Sequence, residues 1–208
     1  MFTISARDLG KKYHKQWVFR NLNAEFSFGS SYAVLGPNGS GKSTLIQLLS
    51  GYLRPDHGSV EFRMEGKPVL EENRHRMISI AAPYLELIEE LTLEELIRFH
   101  FSLVQLKTDI QKEQIPSLAQ LDGSARKQIR HFSSGMKQRL RLVLAFFSDT
   151  PAVLLDEPLS HLDEGGKEWF SSLVNDHRHE RLILVSSNHQ QEETFFCEER
   201  FDITRFKP

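Results

Sequence analysis

The chain has little to cross-link it and no bias of charge: among 208 residues there is one cysteine, Cys197, and 26 basic side chains face 28 acidic ones. A single thiol excludes an internal disulfide and suits a reducing cytosol. A formal net charge of −2 gives no long-range field that would recruit nucleic acid or an anionic membrane. No run approaches the ~18 consecutive apolar residues of a membrane-spanning helix. The opening MFTISARDL alternates as a strand does and lacks the basic-then-apolar profile of a secretion signal. Internal repeats, low-complexity tracts and long linkers are missing too, so one compact unit is expected. Any service to a membrane would go through docking on another chain.

What is present is concentrated in GPNGSGKST, Gly36 to Thr44. It satisfies G-x-x-x-x-G-K-[ST] at Gly36, Gly41, Lys42 and Ser43, with Pro37, Asn38, Gly39 and Ser40 between. The apolar run Tyr32 to Leu35 reads as a buried strand leading in. Leu45, Ile46, Leu48 and Leu49 read as a core helix leading out, with Gly51 placed to end it. Strand, glycine loop and helix are what phosphate binding needs, because successive N–H groups can turn inward and the helix N-terminus adds partial positive charge. Lys42 is expected to reach the terminal phosphates and Ser43 to ligate Mg²⁺. The pattern predicts a nucleoside triphosphate site.

Hydrophobic periodicity supplies the frame. Residues 2–8, 22–28 and 32–35 read as short strands, as do 59–64 and 77–82. Residues 84–132 change texture, being rich in Glu, Leu, Gln and Lys, with helical spacing in Leu93, Leu96, Ile97 and His100; they read as a small helical insert. From 133 onward helix and strand alternate: helix 134–148, strand 152–155, helix 164–177, strand 181–186, a short helix near 190 and a final edge strand. That order predicts an α/β fold with a parallel sheet and right-handed crossovers.

Two further segments carry chemistry. AVLLDEP, Ala152 to Pro158, is a buried strand ending in two acids, at the carboxyl end where ligands collect in such folds. Asp156 is expected to hold Mg²⁺ and Glu157 to act as general base or to orient the attacking water. In FSSGMKQR, Phe132 to Arg139, Ser133 opens a helix whose free N–H groups make an anion site. Met136, Leu140, Val143, Leu144 and Phe147 form its core-facing stripe.

FSSGMKQR resembles the LSGGQxQR signature of the ATP-binding cassette (ABC) ATPases, matching at Ser133, Gly135, Gln138 and Arg139, with Ser134 and Met136 as departures. The resemblance extends from Tyr13 to His189. It implies a P-loop NTPase of the ABC-type cassette class: a mainly parallel central sheet, an N-terminal antiparallel β subdomain and a small helical insert. One domain would span 1–208, with 1–83 and 133–208 as the α/β core and 84–132 as the insert. It further implies that Tyr13 stacks on adenine, although Trp17 competes for that place, and that His189, in VSSNHQQEE, meets the γ-phosphate. Asp163, in SHLDE, would bridge two subunits. The implied cofactors are ATP and Mg²⁺. The implied partners are a second cassette, taken as a homodimer, and a separate transmembrane permease docking beside the insert. No nucleic acid is expected, and the chain would lie in the cytoplasm, peripheral on the inner face of the cell membrane. The SGMKQR wording is similar to an exporter-like branch. An ATP-gated assembly subunit that docks a membrane partner without transport is the alternative.

One departure from the family stands out. Its glutamine just before the insert has no counterpart: ISIAAPYLELIEEL places Pro83 near that position and no Gln between Ile78 and Thr92. Proline has neither a side-chain ligand nor an N–H donor. Either Glu86 takes part of the role, or coupling and turnover are weakened. Arg126, Lys127, Arg130, Lys137, Arg139 and Arg141 are read as a solvated helix face, and the His177-Arg178-His179 triplet as a helix end rather than a zinc site.

Overall fold

The computed structural model describes residues 1–178, 181–188 and 191–207. Two sheets organise them. The first is antiparallel, in the order β2-β1-β4-β5, with β1 Phe2–Tyr13, β2 Gln16–Ser27, β4 His57–Met64 and β5 Lys67–Pro68. The second is parallel, in the order β6-β7-β8-β3-β9, with β3 Ser31–Leu35, β6 Ile78–Ala81, β7 Ala152–Asp156, β8 Leu182–Ser187 and β9 Glu199–Asp202. The helices are α1 Lys42–Leu49, α2 Leu93–Leu103, α3 Ile115–Leu118, α4 Ser134–Phe147, α5 Glu164–His177 and α6 Gln191–Thr194.

The parallel sheet is covered on both faces, which explains why its strands read as unbroken apolar runs. On β7, Val153 and Leu155 enter a core shared with α4, α5 and the 84–132 stretch, while Ala152 and Leu154 face a second core with α1 and the antiparallel sheet. Ile183 and Val185 against Leu182 and Leu184 divide β8 the same way. Phe146 and Phe147, wholly buried at the end of α4, each contribute about 1.5–3 kcal/mol of burial energy to the first core. Arg181, just before β8, is buried as well and donates to Phe146 O at 2.8 Å and Ser148 O at 3.1 Å, capping the carbonyls at the end of that helix.

Two expectations need adjusting. β1 and β2 are longer than 2–8 and 22–28, forming a hairpin that runs out to Tyr13 and Gln16. Register shifts after Ala6, Leu9 and Lys11, with Asp8 at φ 47°, break the alternation that would have announced the extension. The 84–132 stretch is less helical than its composition suggests: α2 has 11 residues and α3 only 4, and the rest is 3-10 turns and loop. α2 owes its sharp start to a capping box in which Thr92 Oγ1 accepts from Glu95 N and Glu95 Oε2 accepts from Thr92 N.

Candidate nucleotide site

The loop between β3 and α1 is shaped by contacts that only glycine permits. Gly41 sits at φ 103°, in the left-handed region, and a Cβ there would fall 2.5 Å from Val18 Cγ1 on β2. A Cβ on Gly36 would lie 2.5 Å from Ser40 Oγ. Ser40 is fully buried, and its hydroxyl has no hydrogen-bond partner among the described residues. A buried hydroxyl without a partner costs about 1–3 kcal/mol, a penalty this loop carries as it stands. Pro37, Asn38 and Gly39 form its exposed rim.

Lys42 is 4% exposed and folds back over the loop. Its Nζ donates to Gly36 O at 2.9 Å, to Pro37 O at 3.2 Å and to Asn188 Oδ1. Burial lowers its pKa, opposed by the charges of Glu157, then Asp156 and Glu193. Asp156 ends β7 at 2% exposure. Burial raises its pKa, against hydrogen bonds from Ser186 and Ser43 that favour the carboxylate. Glu157 follows at φ 47°, its N–H donating to Ser186 O at 3.0 Å while its Oε1 accepts from Asn188 Nδ2 at 3.0 Å. Tight pairing of β7 to β8 thus turns the chain abruptly and points the second acid out of the sheet.

A cavity of about 410 Å³ joins these parts; Tyr13, Val18, Gly41 to Thr44 and Glu157 line it, with Asn38 and Gly39. Tyr13, 48% exposed at the tip of the hairpin, supplies an open ring face with Lys11 Nζ 5.8 Å from its centroid. Trp17 is half-buried, under Lys12 Nζ at 5.4 Å, and does not line the cavity. Of the two aromatics, the structure brings Tyr13 to the loop. His189 lies outside the described residues, as does His179.

Ser133 to Met136 and Asp163 gather elsewhere, around a separate cavity of about 350 Å³ with Gln120, Arg139 and His161. Ser133 Oγ caps α4 by accepting from Met136 N at 3.2 Å, and Asp163 Oδ1 caps α5 by accepting from Gly166 N at 2.8 Å. Gly135 lies under the His161 carbonyl, where a Cβ would be 3.0 Å from the oxygen. No residue lines both cavities. The loop from Gly36 to Thr44 and the segment from Ser133 to Met136 therefore open on different cavities of the described chain.

Around the absent glutamine, Pro83 and Glu86 are exposed and line a larger groove of about 690 Å³ with Leu87 to Glu90, Lys137 and Arg141. Tyr84 is the residue that turns inward. Its hydroxyl is buried, lacks an aligned hydrogen bond, and has its pKa pushed above the usual range by burial and then by the charge of Asp156. The Gln47 side chain stands near that hydroxyl without an aligned hydrogen bond to it. The basic stretch is not one helix face: Lys137, Arg139 and Arg141 lie on α4 and the others precede it. Lys137 pairs with Glu89, Arg139 with Asp163, Arg141 Nε donates to Leu85 O at 2.9 Å, and Arg130 Nε to Gln128 Oε1 at 2.9 Å.

Sequence reasoning missed Glu193, on α6. It is 2% exposed, accepts from Leu159 N at 3.2 Å and bonds Ser187, so it pins the loop that follows Glu157; burial raises its pKa. An acid four residues before the apolar Cys197 looks like a solvated helix position, and its sequence carries no sign of the contact.

The chain is similar to known proteins over most of its length. The family profile described as ABC transporter matches residues 19–160. An uncharacterized ABC transporter ATP-binding protein from Nostoc is 33% identical over 151 residues, covering 70% of this chain and 44% of the relative. The lantibiotic transport ATP-binding protein SrtF of Streptococcus pyogenes is 28% identical over 191 residues, covering 89% of this chain and 80% of that protein. A solved ATP-binding subunit of an ABC transporter superposes with a TM-score of 0.82 at 26% identity, over 97% of this chain and 86% of that one.

Proposed function

The chain belongs to the ABC transporter family, and from that premise we propose how its residues divide the work of an ATP-hydrolysing transport subunit. ATP lies in the 410 Å³ cavity, its base on Tyr13 and its phosphates in the loop from Gly36 to Thr44. The observation that carries the reading is a buried Lys42 that lines one cavity with Ser43, Thr44 and Glu157 and feels the charges of Glu157 and Asp156. Ser43 and Asp156 already share a hydrogen bond and would hold Mg²⁺ between them, with phosphate and water completing its shell. When bound, that ion neutralises charge developing on the phosphates. Glu157, which lines the same cavity, accepts the proton of the attacking water. His189, outside the described residues, is proposed as the contact to the terminal phosphate.

The separation of the two cavities supports a head-to-tail pair of chains, in which Ser133 to Met136 and Asp163 of one copy complete the site of the other. The 690 Å³ groove is proposed to receive a separate permease chain, which would place the protein on the inner face of the membrane. Among the described residues no helix is long and apolar enough to cross a bilayer. The test is Glu157→Gln: the variant is expected to dimerise with ATP in light scattering and to hold the nucleotide, while the parent hydrolyses it with Mg²⁺. A Glu157→Gln chain that stays monomeric with ATP, beside a parent without turnover, would overturn the homodimeric reading.

A further inference from the structure

Asn188, the first residue after β8, joins the phosphate-binding side of the site to the hydrolytic side. Its Nδ2 donates to Glu157 Oε1 at 3.0 Å and its Oδ1 accepts from Lys42 Nζ. The partners fix the amide's orientation. Lysine can only donate and a carboxylate can only accept, so the flipped amide would set like against like at both ends.

The lysine's other two protons go to Gly36 O and Pro37 O, in its own loop. All three of its donors are therefore taken, and an incoming phosphate must displace one of the acceptors. Asn188 is the acceptor that belongs to another part of the chain, 146 residues away. Its carbonyl is neutral. A phosphate oxygen is charged, and charge-assisted bonds are about twice as strong, so phosphate wins that exchange. While the lysine is bound to Oδ1 it polarises the amide and strengthens the Nδ2–H···Glu157 bond; losing the lysine weakens that bond.

The released carboxylate has space to swing. Glu157 lines both the 410 Å³ phosphate cavity and a second chamber of about 270 Å³, and Asn188 lines only the second. The amide thus holds the carboxylate from the side away from the phosphates.

We propose that Asn188 is a positioning residue that interlocks Lys42 with Glu157: with no nucleotide it restrains both, and a phosphate that captures Lys42 frees the carboxylate to turn toward the attacking water. This rests on the roles proposed for Lys42 and Glu157 in binding and hydrolysis. The interlock makes opposite predictions for two variants. Asn188→Ala removes the competitor for Lys42, so Mg-free ATP binds about tenfold tighter, the scale of one hydrogen bond to a charged group. Asn188→Asp strengthens the hold on Lys42 with a charge, so ATP binds more weakly than to the parent.

A merely structural role for Asn188 would weaken binding in both variants. Affinities are read by displacement of a fluorescent ATP analogue, with Lys42→Ala measured alongside. If Lys42→Ala keeps its ATP affinity, the site assignment fails. If Lys42→Ala loses that affinity but Asn188→Ala fails to bind more tightly, or Asn188→Asp fails to bind more weakly, the interlock alone fails.

Discussion

Tyr84 offers a direct measure of what one buried, unpartnered hydroxyl costs the fold. Replacing it with phenylalanine removes one atom and keeps the ring in its tilted contact with Tyr52, 5.9 Å between centroids. The removed hydroxyl is buried, and its pKa is raised chiefly by desolvation. A buried polar group without a partner costs about 1–3 kcal/mol. The Tyr84 ring is itself only part-buried and Gln47 stands nearby, so the low end applies, and Tyr84→Phe is expected to stabilise the nucleotide-free chain by about 1 kcal/mol. For a domain of this size that raises Tm by roughly 2–4 °C. Equilibrium urea unfolding, with the m-value checked for constancy, gives the free energy directly. A loss of about 1 kcal/mol instead would mean that the hydroxyl is bonded, with Gln47 the first suspect. Gln47→Leu should then lose the same amount, and the double variant no more than either single one.

Burial at two other residues sets measurable expectations. Asp156 has its pKa raised in the folded chain, so the native state binds its proton more tightly than the unfolded state does. Stability is therefore drained as pH climbs from the ordinary carboxylate range to the raised native value, and the penalty is complete above both. Asp156→Asn should unfold at higher urea than the parent at pH 7, with an advantage that shrinks as pH falls toward 4; an advantage independent of pH would refute the electrostatic cause. The Cys197 thiol is pushed up to about 12 by burial. Iodoacetamide at pH 8 should label it more than a hundredfold more slowly in the native than in the urea-unfolded chain, and equal rates would contradict the packing.

How much of the fold and site is legible in the sequence depends on the range of the contact responsible. The phosphate loop is local: Gly41 must adopt φ 103° to start α1, and the spacing to Lys42 and Ser43 records that need within a few residues. The parallel strands are legible because two-sided burial writes unbroken apolar runs such as Ala152 to Leu155. The hairpin reads too short because bulges interrupt its period. The 84–132 stretch reads as too helical because charge-rich composition describes a solvated surface as well as a helix. Ile115, Leu121 and Ile129 fasten the stretch to the core without any period. Asn188, Tyr84 and Glu193 are invisible as site residues. Each owes its place to a meeting of distant segments, and nothing in its own neighbourhood depends on that meeting.

The sheet order has a consequence for synthesis. β3, which leads directly into the phosphate loop, is flanked by β8 on one side and β9 on the other, through pairs such as Val34 with Ser186 and with Phe201. A ribosome makes β3 early and both of its neighbours late. Until residues 182–202 have emerged, the strand that carries the loop has two open edges. Such long-range pairing folds slowly, because the loop-closure entropy comes before the reward. The strand that carries the loop is therefore the last of the parallel sheet to gain both of its neighbours.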